Sequence, residues 1–107
     1  MATRALIHMP RSAARGDVID IRTLLQHPME SGHRADAEGR VLPRYIVRYF
    51  ECHYSGERVF SAELHPSIAA NPYLAFSTVA TASGSLVFTW SGDNNFSHSE
   101  SMALTVT

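Results

Sequence analysis

The sequence predicts an all-β protein, an immunoglobulin-like β-sandwich of about seven antiparallel strands. Apolar and polar residues alternate at a period of two in most segments, as expected for strands with one buried face. Turn-forming residues separate these segments. No segment of eleven or more residues shows a convincing apolar stripe at the helical period of 3.6, so the crossover helices of a parallel sheet are not expected.

Two strands are predicted within the first 27 residues. The segment RALIHMP (4–10) is short and stops at Pro10, because proline cannot donate a main-chain hydrogen bond. In VIDIRTLLQH (18–27), polar Asp20 and Arg22 alternate with residues predicted to share the opposite face, namely Ile19, Ile21, Thr23 and Leu25.

A β-hairpin is predicted in the middle of the chain. YIVRYFECHY (45–54) is rich in aromatic and β-branched residues, and it meets RVFSAEL (58–64) across Ser55-Gly56. Glycine accepts the positive φ that tight hairpin turns require. In the second arm, one face consists of Phe60, Ala62 and Leu64.

Three further strands are predicted toward the end of the sequence: YLAFSTVA (73–80), SLVFTWS (85–91) and FSHSESMALTVT (96–107). Their apolar residues again recur at every second position. The predicted apolar faces consist of Leu74 and Phe76, then Leu86, Phe88 and Trp90, then Met102, Leu104 and Val106.

The 45–54 segment is apolar on both of its predicted faces. Ile46, Phe50, Cys52 and Tyr54 alternate with a second set consisting of Tyr45, Val47 and Tyr49. An exposed sheet face is expected to be polar, so a partner chain could cover the second set. A neighbouring loop, or tyrosines with solvated hydroxyls, would explain the pattern equally well.

Length and composition limit the classes of function. A chain of 107 residues suits one domain, spanning 1–107. Nine basic and ten acidic residues form no basic stripe, so nucleic-acid binding is not expected. The apolar runs are too short for a membrane-spanning helix, and the start MATRALIHMPRSAARGD lacks an apolar secretory core. An unpartnered chain is therefore expected in the cytoplasm.

No catalytic, cofactor or metal site is predicted. Glu63/His65 and His98/Glu100 have strand spacing for two metal ligands, but no third ligand accompanies them, and surface histidines are the favoured interpretation. Cys52 is the single cysteine, and neighbouring His53 would point to the opposite face of the strand. A buried, inert thiol is therefore favoured over a small redox or metal-binding enzyme, and an interchain disulfide stays open.

The segment HPMESGHRADAEGRVLPRYIV (27–47) resembles the signature of the SoxZ family. The similarity continues in NPYLAF (71–76) and FTW (88–90) and covers nearly the whole chain. In the tail, SGDNNFSHSES is more polar than acidic, where the family often has an acidic cluster. The matching positions in the first segment are His27, Met29, Glu30, Ser31, Gly32, Arg34, Asp36, Gly39, Pro43 and Arg44.

The resemblance implies an immunoglobulin-like subunit that pairs with SoxY, whose C-terminal glycine-cysteine arm binds sulfur intermediates during thiosulfate oxidation. This chain ends in SMALTVT and has no such arm, so it resembles the non-carrying, non-catalytic subunit. The resemblance also implies transient contacts with the Sox enzymes and a periplasmic location, reached by export with a signal-bearing SoxY. The isolated chain could form a homo-oligomer.

Six residues are predicted to contact the partner. In the charged 26–44 segment, Met29 is expected to insert as an apolar anchor while Arg34 and Asp36 fix the loop conformation. In the following segment, the second apolar face is expected to form the heterodimer contact through Tyr45, Val47 and Tyr49.

Overall fold

Two β-sheets face each other in the computed structural model, which describes residues 4–107. One sheet has the order β1–β3–β6 and the other the order β2–β8–β7–β4–β5. The predicted all-β sandwich is confirmed. The strands are β1 (Ala5–His8), β2 (Ser12–Ala13), β3 (Val18–Leu25), β4 (Val47–Tyr54), β5 (Glu57–Glu63), β6 (Tyr73–Val79), β7 (Gly84–Gly92) and β8 (Ser97–Val106), with a 3₁₀ turn at Asp93–Asn95.

Strand β2 is an addition to the predicted set, and it pairs in parallel. Ser12 lies opposite Thr105 and Ala13 opposite Val106 of β8, whereas the other strand pairs are antiparallel. After Pro10 the chain leaves the three-stranded sheet and joins the edge of the five-stranded sheet. Two residues are too short a segment to show a period in the sequence, which explains why the alternation did not predict this strand.

The core lies between the sheets and follows the predicted alternation. Ile19, Ile21, Thr23 and Leu25 are all buried, and so are Leu86, Phe88 and Trp90. Phe50 lies at the centre of an aromatic cluster that joins both sheets. Its ring centroid is 5.8 Å from that of Phe76 in the three-stranded sheet and 5.1 Å from that of Trp90 in its own sheet.

The beginning of β4 differs from the prediction. The pairing of β4 with β7 shifts register between Val47 and Tyr49, so both Val47 and Phe50 face the core. Such a bulge adds a residue to one strand and turns Val47 inward, while Ile46 before it is buried as predicted. Tyr45 precedes the strand, and only Tyr49, 45% exposed, presents an aromatic ring on the outer side. The predicted outward position of Val47 is therefore wrong. The Val47 side chain is fully buried, so it does not offer a surface to a partner chain.

The β4–β5 hairpin confirms the predicted turn. Ser55 and Gly56 both have positive φ, 50° and 85°, as a type I′ turn requires. Beside this turn, the Tyr54 hydroxyl accepts hydrogen bonds from the amides of Thr81 (3.3 Å) and Ala82 (3.2 Å) and donates to the Ala82 carbonyl. No helix in residues 4–107 has both the length and the apolar character needed to cross a membrane.

Candidate functional site

The connection between β3 and β4, residues 26–46, contains most of the predicted partner-binding residues and is an ordered structure. Glu30 and Tyr45 exchange two main-chain hydrogen bonds of 2.7 Å, which close the base of the connection. Further out, the Leu42 amide donates to the Arg34 carbonyl (2.8 Å), and Ala35 bridges to Val41. We call this structure the 26–46 loop. Its two sides are paired like those of a hairpin, so its tip has a defined position.

His27 fixes the start of the loop. Its amide donates to Asn71 Oδ1 (2.9 Å) and its carbonyl accepts from the Asn71 amide (2.7 Å), which ties the loop to the segment before β6. Its Nδ1 accepts from the Met29 amide (3.0 Å). Burial lowers the pKa of His27, and the charge of Asp93 only partly opposes this. These effects favour the neutral form of His27, and its side chain is 3% exposed, so the interpretation of the histidines as surface residues does not apply to it.

Met29 is part of the core. It is 5% exposed, has a φ of 52°, and its sulfur accepts a hydrogen bond from the Val47 amide at 3.2 Å. The prediction that Met29 inserts into a partner as an apolar anchor is inconsistent with this burial. The side chain instead anchors the loop to its own domain, because the flexible thioether fills the space beside the start of β4.

Arg44 and Asp93 fix the end of the loop. Arg44 Nε and Nη2 donate to the two carboxylate oxygens at 2.9 and 3.0 Å, and the Ile46 amide donates to Asp93 Oδ2 at 3.2 Å. Burial alone would raise the pKa of Asp93, but the hydrogen bonds from Arg44 and Ile46 outweigh it and keep the pKa low. Gly32 passes close to Arg44 with a φ of +87°, a conformation that favours glycine.

Arg34 and Asp36 organise the exposed part of the loop. Arg34 donates from Nε and Nη2 to the two carboxylate oxygens of Glu30 at 2.9 and 2.8 Å. Asp36 Oδ1 accepts from the amides of Glu38 and Arg40, both at 2.9 Å, and so closes the turn around Gly39. These contacts are of the kind predicted for residues that fix the loop conformation. The outer side of the Arg34 guanidinium is left accessible to another protein.

The two predicted tyrosines occupy different environments. Tyr45 packs at the base of the loop, with its ring centroid 4.5 Å from that of His27 and 6.2 Å from that of Phe96. Tyr49 lies on the outer side of β4, where the Arg48 guanidinium carbon is 5.4 Å from its ring centroid. Arg34 and Asp36 therefore share the loop tip, Tyr45 supports the base, and Tyr49 stands apart on the sheet.

Three residues of this site were missed by the sequence analysis: Asn71, Asp93 and Phe96. Asp93 lies in the polar segment SGDNNFSHSES, and its partner Arg44 lies 49 positions earlier. Short sequence motifs describe neighbours along the chain, so they do not reveal contacts over this separation. Positive φ at Asn71 (57°) agrees with the known tolerance of asparagine for this conformation.

The structure provides no metal-binding group among its described residues: in 4–107, no three His, Cys, Asp or Glu side chains converge to hold an ion. The pair His98 and Glu100, considered above, forms a hydrogen bond of 2.9 Å. Cys52 is fully buried, and burial raises the pKa of its thiol to about 11. These properties do not favour nucleophilic chemistry at Cys52.

We expect the Cys52 thiol to react slowly with alkylating reagents. With a pKa of about 11, about a thousandth of the thiol is ionised at pH 8. Labelling of the folded protein with iodoacetamide should therefore be at least about 100-fold slower than labelling of the same protein in guanidinium chloride. Mass spectrometry gives both rates, and comparable rates in the two conditions would contradict the buried environment.

Comparison with known proteins gives one family match. The profile described as "Sulphur oxidation protein SoxZ" matches residues 7–103. No curated protein sequence matches significantly.

Among solved structures, the chain is similar to the superoxide reductase (neelaredoxin) of Ignicoccus hospitalis, with a TM-score of 0.75 and 17% identity over 98% of this chain and 82% of that one. It is also similar to the sulfur carrier protein SoxY of Chlorobium limicola f thiosulfatophilum, with a TM-score of 0.68 and 13% identity over 96% and 78%. At these identities the similarity concerns the fold.

Proposed function

Because this chain belongs to the SoxZ family of sulphur oxidation proteins, we propose that it is the non-catalytic, SoxY-binding subunit of a SoxYZ-type sulfur carrier. In this role it helps to present the sulfur intermediates bound to the SoxY cysteine to the Sox enzymes during thiosulfate oxidation. The proposal includes a periplasmic location, reached by export in complex with a signal-bearing SoxY, as the family resemblance implies.

The observation that best supports a binding role is the construction of the 26–46 loop. Family-signature residues hold both of its ends, through His27 with Asn71 and through Arg44 with Asp93. The tip in turn has a fixed shape and exposed charges. A loop that is already ordered loses little conformational entropy on binding, which favours specific recognition.

The chemistry of the single cysteine also supports a binding role. A sulfur carrier needs a thiol that reaches the active sites of several enzymes, whereas Cys52 lies in the core with a raised pKa. The covalent chemistry is therefore assigned to SoxY. We propose that this chain contributes binding surface through Arg34, Asp36 and Tyr49, with Tyr45 supporting the loop from beneath.

Coexpression with SoxY from the same source tests the proposal. We expect an affinity tag on this chain to recover SoxY in a one-to-one complex. Arg34→Ala should weaken the complex about tenfold, since loss of a well-placed interface arginine typically costs about 1–2 kcal/mol. Affinity is measured by isothermal titration calorimetry with the purified subunits.

The matched control is Arg58→Ala. Arg58 is also an exposed arginine paired with a glutamate, since its Nη1 lies 3.4 Å from Glu51 Oε1, but it is on β5. This variant should bind SoxY as the original chain does. Absence of any SoxY complex would refute the proposed function, whereas equal effects of the two substitutions would refute only the assignment to the loop.

A further inference from the structure

Strand β6 has one unpaired side. Within residues 4–107, β6 pairs with β3 alone. The Leu25 amide donates to the Pro72 carbonyl (3.1 Å), and because hydrogen-bonded pairs alternate in an antiparallel ladder, the next bonded pair joins Thr23 and Leu74. The amides and carbonyls that point away from β3 therefore belong to Tyr73, Ala75, Ser77 and Val79.

This edge lacks the features that usually prevent an edge strand from pairing with another chain. The β6 sequence YLAFSTV contains no charged residue and no proline, and its pairing with β3 has no register shift. Charges, prolines and bulges are the usual protections of an edge strand. The other long edge, β5, does contain charges, at Glu57, Arg58 and Glu63. An uncharged row of unpaired amides and carbonyls matches the backbone of another extended strand.

The outer face next to this edge is apolar at its two ends. At one end, a row across the sheet runs from Leu6 through Leu24 to Tyr73. In this row Leu6 is 59% exposed and Tyr73 is 57% exposed. At the other end, Val18, which is 68% exposed, lies opposite Val79. The two apolar groups therefore occupy opposite ends of the same sheet face.

We propose that β6 pairs antiparallel with β6 of a second copy of this chain, about a two-fold axis at Phe76. In this register Tyr73 lies opposite Val79 of the second copy, and Ala75 lies opposite Ser77 of the second copy. All of these residues direct their main-chain groups away from β3, so the register satisfies them in both copies. The two three-stranded sheets then form one six-stranded sheet.

This register joins the two apolar ends. The row Leu6–Leu24–Tyr73 continues into Val79 and Val18 of the second copy, and symmetry repeats the row on the other side of the axis. Cross-strand pairs of aromatic and β-branched residues are among the stabilising pairs of β-sheets. A two-fold axis through β6 therefore brings together exposed apolar side chains that are far apart in one chain.

The charges are also complementary in this register. Arg22 and Ala75 lie in one row, which continues into Ser77 and then Asp20 of the second copy. Each arginine thus shares a row with an aspartate of the other chain, with only small side chains between them. No two like charges face each other across the axis. The pairing uses none of the residues proposed to bind SoxY, so it extends beyond the proposed function.

Sedimentation equilibrium of the purified chain tests the proposal. The original chain should show a monomer–dimer equilibrium, and Ser77→Pro should weaken dimerisation at least tenfold. Proline removes the outward amide of residue 77 without removing a hydrogen bond to β3, so the fold should persist. Ser77→Lys, which places a charge on the edge, is a second variant with the same expected effect.

Ser61→Pro in β5 is the matched control. The Leu64 amide donates to the Arg48 carbonyl (2.8 Å), so by the same alternation the Ser61 amide also points away from its sheet. This variant should dimerise as the original chain does. Purely monomeric original chain, unchanged dimerisation of the Ser77 variants, or an equal loss in Ser61→Pro would overturn the proposal. If the original chain is monomeric and the Ser77 variants also lose SoxY binding, then SoxY, and not a second copy, occupies this edge.

Discussion

Phe50→Ala should destabilise the protein by about 3–5 kcal/mol, because it leaves a cavity where the two sheets meet. The Phe50 ring contacts aromatic side chains on three strands, with centroid distances of 6.0 Å to Phe60, 5.8 Å to Phe76, and 5.1 Å to Trp90. A loss of this size would remove much of the stability of a typical small domain. Thermal unfolding should show a melting temperature lower by about 15 °C or more.

The neighbouring residue supplies the control for this prediction. Tyr49→Ala removes an aromatic ring from the same strand, but Tyr49 is on the outer side and nearly half exposed. We expect a change in unfolding free energy of less than about 1 kcal/mol. Similar losses for the two variants would show that the packing around Phe50 does not dominate the stability of β4.

Gly92→Ala should be almost as severe, at about 3 kcal/mol of destabilisation. A Cβ at residue 92 would overlap the Ile46 carbonyl oxygen and lie 2.8 Å from Val47 Cα. Both obstacles are main-chain atoms, so relief requires a shift of the backbone where the 26–46 loop enters β4. We therefore expect a lower denaturant midpoint together with weaker SoxY binding, measured by urea unfolding and calorimetry.

Gly84, at the other end of β7, provides a matched control for this substitution. There an added Cβ would meet the Ser55 hydroxyl, the end of a side chain that can rotate away. Gly84→Ala should cost less than about 1 kcal/mol and leave SoxY binding unchanged. A mild effect of Gly92→Ala, comparable to that of Gly84→Ala, would contradict the close approach of the two backbones.

The sequence predicts those parts of the fold that depend on local rules. Alternation in β3 identified its buried face correctly, because both charged residues of the strand, Asp20 and Arg22, occupy outward positions. The turn at Ser55-Gly56 followed from the conformational freedom of glycine. The resemblance to the SoxZ family singled out the loop that we propose to bind SoxY, although composition and spacing suggested only a charged connection.

Other parts depended on contacts between distant residues, which a pattern along the chain does not encode. The bulge after Val47 turns the Val47 side chain to the face opposite to the predicted one. It arises from the way in which β4 pairs with β7. Met29 is an apolar residue within a charged segment, so the sequence favoured an exposed side chain that anchors a partner. In the structure, the Met29 side chain instead packs in the core and accepts a hydrogen bond from the Val47 amide. Burial of His27 likewise depends on Asn71 and on rings that follow much later in the sequence.

The parallel pair of β2 and β8 has a consequence for the kinetics of folding. Ser12 cannot meet Thr105 until all the strands between them have been synthesised, and closing so long a segment is entropically unfavourable. Sheets rich in such long-range pairs typically fold in milliseconds to seconds. During that interval the uncharged edge of β6 is available to other nascent chains. Synthesis together with a binding partner would therefore reduce aggregation as well as form the complex.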